Sequence, residues 1–138
     1  MDRRPGVEEA TRIIVTVDDD RRVRDSMQAV MESAGHTSLV FASAEEFLQS
    51  GTLARATCLI ADIRMPGIDG LELQRRVRLE RPQLPVIFIT AHDDEDIRLK
   101  ALEGGAVDFR CKPFDAADLL DTIEEALSEP LRKRDTDE

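Results

Sequence analysis

Residues Ile13–Val17, Cys58–Ala61 and 86–89 are apolar or β-branched throughout, with no alternation of polar and apolar positions. A strand with one wet face alternates, because successive side chains point to opposite sides of the sheet. A strand that is apolar on both sides must be covered on both sides, the condition of a parallel sheet flanked by helices.

The segments between these runs have helical period. Val23, Met27, Val30, Met31 and Ala34 form one stripe, and Gly35 stops it. Residues 38–41 read as a second strand. Ser43-Ala-Glu-Glu46 fits a capping box that opens a short helix with Phe47 and Leu48 on its apolar side. After a turn marked by Pro66, Gly67 and Gly70, a helix near residues 71–80 carries Leu73 and Val77 inward. It ends at Arg81-Pro82, because proline disfavours helix at the residue before it. Residues 85–90 hold a fourth strand. An acid-rich helix over 93–103 has Ile97, Ala101 and Leu102 as its inner stripe, closed by Gly104-Gly105. Residues 107–110 make a short fifth strand, and Asp115 caps a last helix through Leu119, Ile123 and Leu127.

This alternation predicts an α/β fold: a doubly wound, five-stranded parallel sheet of flavodoxin-like order 2-1-3-4-5 with five helices. At 138 residues the chain is expected to be a single domain with a proper core. The domain is expected over residues 12–128, with polar tails at 1–11 and 129–138.

Polar residues end four of these strands. Asp18-Asp19-Asp20 follows the first, Asp62 the third, Thr90 ends the fourth and Lys112 follows the fifth. Open parallel sheets bind ligands outside the carboxyl ends of their strands, where the strand order reverses. The order given above makes strands 1 and 3 neighbours and brings Asp18 and Asp19 beside Asp62. Three carboxylates together call for a cation. Oxygen donors suit a hard divalent ion, Mg²⁺ first and Mn²⁺ as the alternative. A carboxylate can also be a nucleophile and form an aspartyl phosphate. Lys112 and Thr90 would then pair with phosphoryl oxygens, in a transfer that depends on positioning and charge stabilisation. Taken singly, each residue has a plainer account: a helix cap for the acids, a turn for Asp62, a strand hydroxyl for Thr90, a solvated charge for Lys112. Their conjunction at four strand ends favours one site.

Composition narrows the partners. The formal net charge is −10 and the chain has no Trp or Tyr, so neither phosphate contacts nor base stacking favour nucleic acid, and no direct binding to it is expected. The one dense basic run, Arg132-Lys133-Arg134, reads as a solvated tail. Cys58 and Cys111 have no metal or disulfide spacing, and both read as small buried hydrophobes. The absence of a leader-like h-region or membrane-length stretch makes a cytoplasmic location the expectation.

These residues resemble the receiver domain of bacterial two-component response regulators, above all the FixJ-type subgroup that precedes LuxR-like DNA-binding domains. The likeness rests on Val17-Asp-Asp-Asp-x-x-Val-Arg24, Asp62-Ile-Arg-Met-Pro-Gly-x-Asp-Gly-Leu-Glu-Leu73, Ile89-Thr-Ala-His92 and Gly105-Ala-Val-Asp-Phe-x-x-Lys-Pro-Phe114, and covers about residues 12–128. It implies Asp62 as phospho-acceptor and Asp19 as direct Mg²⁺ ligand. Asp18 would assist through water, and the backbone carbonyl of Arg64 would complete the protein ligands. It further implies Thr90 as the switch hydroxyl, Lys112 as the phosphate-binding lysine, and a cis Lys112–Pro113 bond. Phe109 occupies the place of the aromatic rotamer switch; because it lacks a hydroxyl, a plain core role stands as the alternative. Arg64 and His92 stand where the family tunes acyl-phosphate hydrolysis; for His92 a plain polar loop role is the equal alternative.

Ala91 stands where close relatives often carry Gly, and Arg110 and Cys111 replace blander residues. The implied partners are a sensor histidine kinase and a downstream protein on the helix 4–strand 5–helix 5 face, with a phosphorylation-dependent homodimer as a further expectation. The implied activity is signalling, with self-phosphotransfer and autodephosphorylation at Asp62 but no enzyme function beyond them. Two alternatives stand beside it. One is the receiver part of a FixJ/LuxR-type transcription regulator whose DNA-binding domain is not among these residues. The other is a phosphate-independent docking module. A metabolic enzyme ranks below these, since no cofactor loop such as G-x-G-x-x-G is visible.

Overall fold

The computed structural model describes residues 12–128. The expected tails, 1–11 and 129–138, lie outside the described residues. Five strands, β1 (Ile13–Val17), β2 (Thr37–Phe41), β3 (Cys58–Ala61), β4 (Val86–Thr90) and β5 (Asp108–Cys111), form one sheet in the order β2-β1-β3-β4-β5. All four pairings are parallel. The helices are α1 (Arg21–Ser33), α2 (Ala44–Ser50), α3 (Gly70–Glu80), α4 (Glu95–Glu103) and α5 (Ala116–Ser128), with a 3₁₀ turn at Thr52–Ala54.

Strands β1, β3 and β4 are buried at every position, as their composition requires. Their alternate residues supply two separate cores. Val15, Val17, Leu59, Ala61, Val86 and Phe88 pack with Phe47, Leu73, Val77 and Ala101 on one face, under α2, α3 and α4. Ile14, Cys58, Ile60, Ile87 and Ile89 pack with Met27, Met31, Leu119 and Ile123 on the other, under α1 and α5. Asp20, Ser43, Asp69 and Asp94 cap the first four helices by accepting backbone N–H bonds, and Asp115 accepts that of Asp118 at 3.0 Å.

Several expectations need correction. α4 begins at Glu95 rather than residue 93, because Asp94 takes the cap with its side chain. Leu102 is 38% exposed and Ala34 is exposed, so neither belongs to an inner stripe: Leu102 lies in the last turn of α4, where Ala101 is the buried residue, and Ala34 is the cap just past the end of α1, where Met31 is the last buried residue. The box at Ser43 is offset: Ser43 accepts from Glu46 N–H at 3.1 Å, while the Glu46 carboxylate reaches the N–H of Ala42, at 3.3 Å. β5 runs one residue later than expected and carries Cys111 at its end. Cys111 is exposed rather than buried, since it ends an edge strand; Cys58, in a central strand, is buried as expected. Burial pushes the Cys58 thiol up to about 12, which keeps it a neutral core group.

Candidate functional site at the strand ends

The register of the central strands places the site. Val17 of β1 pairs with Ala61 of β3, so Asp18 and Asp62, each one residue further, emerge side by side. The ladder continues into them: Asp62 N–H donates to the Val17 carbonyl at 3.0 Å, and Asp18 N–H to that of Phe41 at 3.1 Å. On the other side Thr90 pairs with Cys111, and the N–H of Lys112 donates to the Thr90 carbonyl at 2.7 Å. The Lys112–Pro113 bond is cis.

Oxygens of Asp18, Asp19 and Asp62 lie within 4.8 Å of one another. Asp18 and Asp62 are buried, Asp19 exposed. Of the three consecutive acids, Asp20 alone caps α1, accepting from Arg22 N–H at 2.9 Å. Asp18 accepts from Asp20 N–H at 2.9 Å, and its carbonyl accepts from the Arg24 guanidinium at 2.9 Å. Asp62 Oδ1 accepts from Ile63 N–H at 2.7 Å, leaving Oδ2 toward the crevice.

Lys112 Nζ lies 3.1 Å from Asp18 Oδ2 and 3.3 Å from Asp62 Oδ2. Burial pushes the Asp18 carboxyl above its usual range, with the like charge of Asp62 adding to the rise; the Asp20 N–H and Lys112 pull against it without cancelling it. Burial would lower Lys112, yet Asp18 and Asp62 together outweigh it and hold the ammonium above its usual value. Within the crevice one ammonium, Lys112, faces the carboxylates of Asp18 and Asp62 while a third, Asp19, lies beside them. That imbalance, with an all-oxygen donor set, fits a hard divalent cation, so the cluster can hold a metal ion.

The remaining expected residues surround this cluster without all joining it. Thr90 is 1% exposed, and its hydroxyl accepts from His92 N–H at 3.2 Å; His92 itself is exposed. Arg64 points outward, with Nη2 3.9 Å from Asp94 Oδ2 at the start of α4. Phe109 lies in the core beside Phe88, its register partner, and the Arg98 guanidinium sits 5.9 Å from its ring centroid. Gly70 packs so closely on the Asp62 carbonyl that a side chain there would overlap the backbone. Spacing gave no sign of the contacts made by Arg98, Asp94 or Glu45, which come from other elements.

Comparison with known proteins agrees with this geometry. The family model "Response regulator receiver domain" matches residues 14–124, and the chain belongs to that family. Nodulation protein W of Bradyrhizobium diazoefficiens is 38% identical over 123 residues, 89% of this chain and 54% of that protein. The transcriptional regulatory protein FixJ of the same organism is 37% identical over 122 residues, 87% of this chain and 60% of that protein. The likeness is thus of the FixJ type, and the chain spans little more than half the length of these relatives. Among solved structures, the beryllofluoride-activated NtrC4 receiver domain dimer superposes with a TM-score of 0.79 at 28% identity, over 85% of this chain and 97% of that one. The protein is a receiver of the two-component type, a family whose general role is to accept a phosphoryl group. Among the described residues, no helix is long and apolar enough to cross a membrane.

Proposed function

We propose that Asp62 is the phospho-acceptor of a signalling switch and that a sensor histidine kinase is the donor. The observation that carries this reading is the Asp62 carboxylate, buried beside Asp18 and Asp19 with the Lys112 ammonium 3.3 Å away. A carboxylate oxygen of Asp62 attacks phosphorus, the bond from phosphorus to the donor nitrogen breaks, and the leaving imidazole recovers a neutral ring. Lys112 is within reach of a phosphoryl oxygen on Asp62, and Thr90 supplies a hydroxyl donor at the neighbouring strand end. Mg²⁺, or Mn²⁺, would be held by Asp19, Asp62 and the Arg64 carbonyl, with Asp18 assisting through water; its chemistry is neutralisation of charge on the transferring group. Water attack on the acyl phosphate returns free Asp62 and phosphate, at a rate tuned by Arg64 and His92. Beyond this self-directed chemistry the protein is not an enzyme.

The output is a two-state change. Thr90 turns to the phosphoryl group, Phe109 adjusts beside it, and the face of α4, β5 and α5 changes its affinity for a downstream protein or a second copy. Leu99, Leu102 and Val107, all partly exposed there, support that face. The working unit is residues 12–128 in the cytoplasm. The likeness to nodulation protein W and FixJ favours a second reading of the output, in which a DNA-binding domain outside these residues receives the signal; the chemistry is then the same.

Beryllofluoride with Mg²⁺ tests the switch. Backbone NMR shifts are expected at Thr90 and Phe109, and none in Asp62→Asn. Equal shifts in Asp62→Asn would remove Asp62 from the centre, and a wild type that never responds would revive a phosphate-independent docking module.

A further inference from the structure

The loop from Asp62 to Gly70 must hold the Arg64 carbonyl steady, yet little of its own backbone secures it. Gly70 N–H donates to the Ile63 carbonyl at 2.8 Å and closes the loop at its base. Between those ends, the N–H of Ile68 alone among residues 64–69 finds an acceptor among the described residues, and that acceptor comes from another element. It is the Glu45 carboxylate, at 3.0 Å, reaching across from the first turn of α2. The fit is close. Gly67 has φ of +77°, and a Cβ there would overlap Glu45 Oε2, so the glycine leaves the room that the carboxylate fills. The Ile68 hydrogen bond is the largest cause holding the Glu45 carboxyl below its usual range, so the acceptor stays charged at neutral pH. The buried Met65 side chain anchors the same loop from the apolar side, which leaves Glu45 to fix the orientation of its peptide groups.

We propose that Glu45 is a positioning residue for the metal site: by pinning the Gly67–Ile68 turn it holds the Arg64 carbonyl toward the acidic cluster. This rests on the reading of Asp19, Asp62 and the Arg64 carbonyl as the metal ligands. Reach rather than charge is the requirement. Glu45→Gln keeps an acceptor oxygen at the same distance, whereas Glu45→Asp keeps the charge and the favourable place near a helix N-terminus but falls one methylene short.

The test is an NMR titration with Mg²⁺ alone, paired with hydrogen exchange of the Ile68 amide. Partners that orient metal ligands typically change affinity by 10–100-fold when lost. For Glu45→Ala and Glu45→Asp a loss of about tenfold in Mg²⁺ affinity is expected, at the low end of that range. Ile68 exchange should be faster in both, while Glu45→Gln stays within about twofold of wild type. Ser43→Ala, which removes the α2 cap but not the pin, should lower Tm and leave Mg²⁺ affinity unchanged. Equal affinity in wild type and Glu45→Asp would overturn the proposal while sparing the metal reading. So would a loss in Ser43→Ala as large as in Glu45→Asp, because the effect would then be general loosening of α2. A wild type that binds no Mg²⁺ would overturn the metal reading and the role of Glu45 with it.

Discussion

Lys112→Met leaves Asp18 and Asp62 facing each other without a cation. The distances set the scale. At an effective dielectric of about 20, unit charges 3.1–3.3 Å apart attract by about 5 kcal/mol, and carboxylate oxygens no more than 4.8 Å apart repel by at least about 3 kcal/mol. Desolvation of Lys112 offsets much of that attraction, and removing one partner of a buried pair costs about 3–5 kcal/mol in general. Lys112 keeps 18% of its side-chain surface in water, so a loss of about 2–3 kcal/mol is expected for the metal-free protein at neutral pH. Urea unfolding followed by far-ultraviolet circular dichroism reads it, since the chain has no Trp or Tyr for fluorescence. The pH dependence has a definite sign. A carboxyl whose folded pKa is raised costs stability while ionised, and the cost is relieved as pH falls through that raised value toward the unfolded 3.8. The Lys112→Met deficit should therefore shrink on acidification into that window, and should shrink at neutral pH when Mg²⁺ is added. A variant as stable as wild type in EDTA at neutral pH would refute the crowded-carboxylate reasoning. A deficit that grows on acidification would refute it as well.

Asp18→Asn removes a carboxylate held in its charged form against burial, so metal-free stability at neutral pH should hold or rise by about 1 kcal/mol while the Mg²⁺-dependent increment falls. Paired melts with and without Mg²⁺ check both halves. Phe47→Ala empties the layer between α2 and the sheet, where Phe47 is fully buried and packs on Phe41 at 5.5 Å between ring centroids. It should cost about 3–5 kcal/mol in urea unfolding, with no change in Mg²⁺ affinity beyond that of the unfolded fraction.

The sheet was legible because its evidence is local. Runs such as Cys58–Ala61 are buried on both sides, and their shortness and flanking turn residues set them apart from buried helix. The cluster was legible because parallel strands in register deliver the residue after each strand to one edge, so Asp18 and Asp62 could be paired from order alone. Where expectation failed, neighbours from other elements decided. Cys111 follows a strand-forming segment yet lies exposed at a sheet edge, and Leu102 has helical spacing but faces away from the core. Glu45 stood 23 residues from Ile68, inside what read as a helix start, and nothing in its spacing could announce a contact with the loop that follows Asp62. Arg98 over Phe109 was hidden for the same reason.

The central claim is that Asp62 takes the phosphoryl group. Incubation with acetyl phosphate and Mg²⁺, rapid quenching and peptide mass spectrometry locate the modification directly. The expected result is a single phosphoryl group on the peptide containing Asp62, lost in Asp62→Asn and retained in Asp18→Asn at reduced yield. A phosphoryl group on Asp18 or Asp19, or undiminished labelling of Asp62→Asn, would contradict the account.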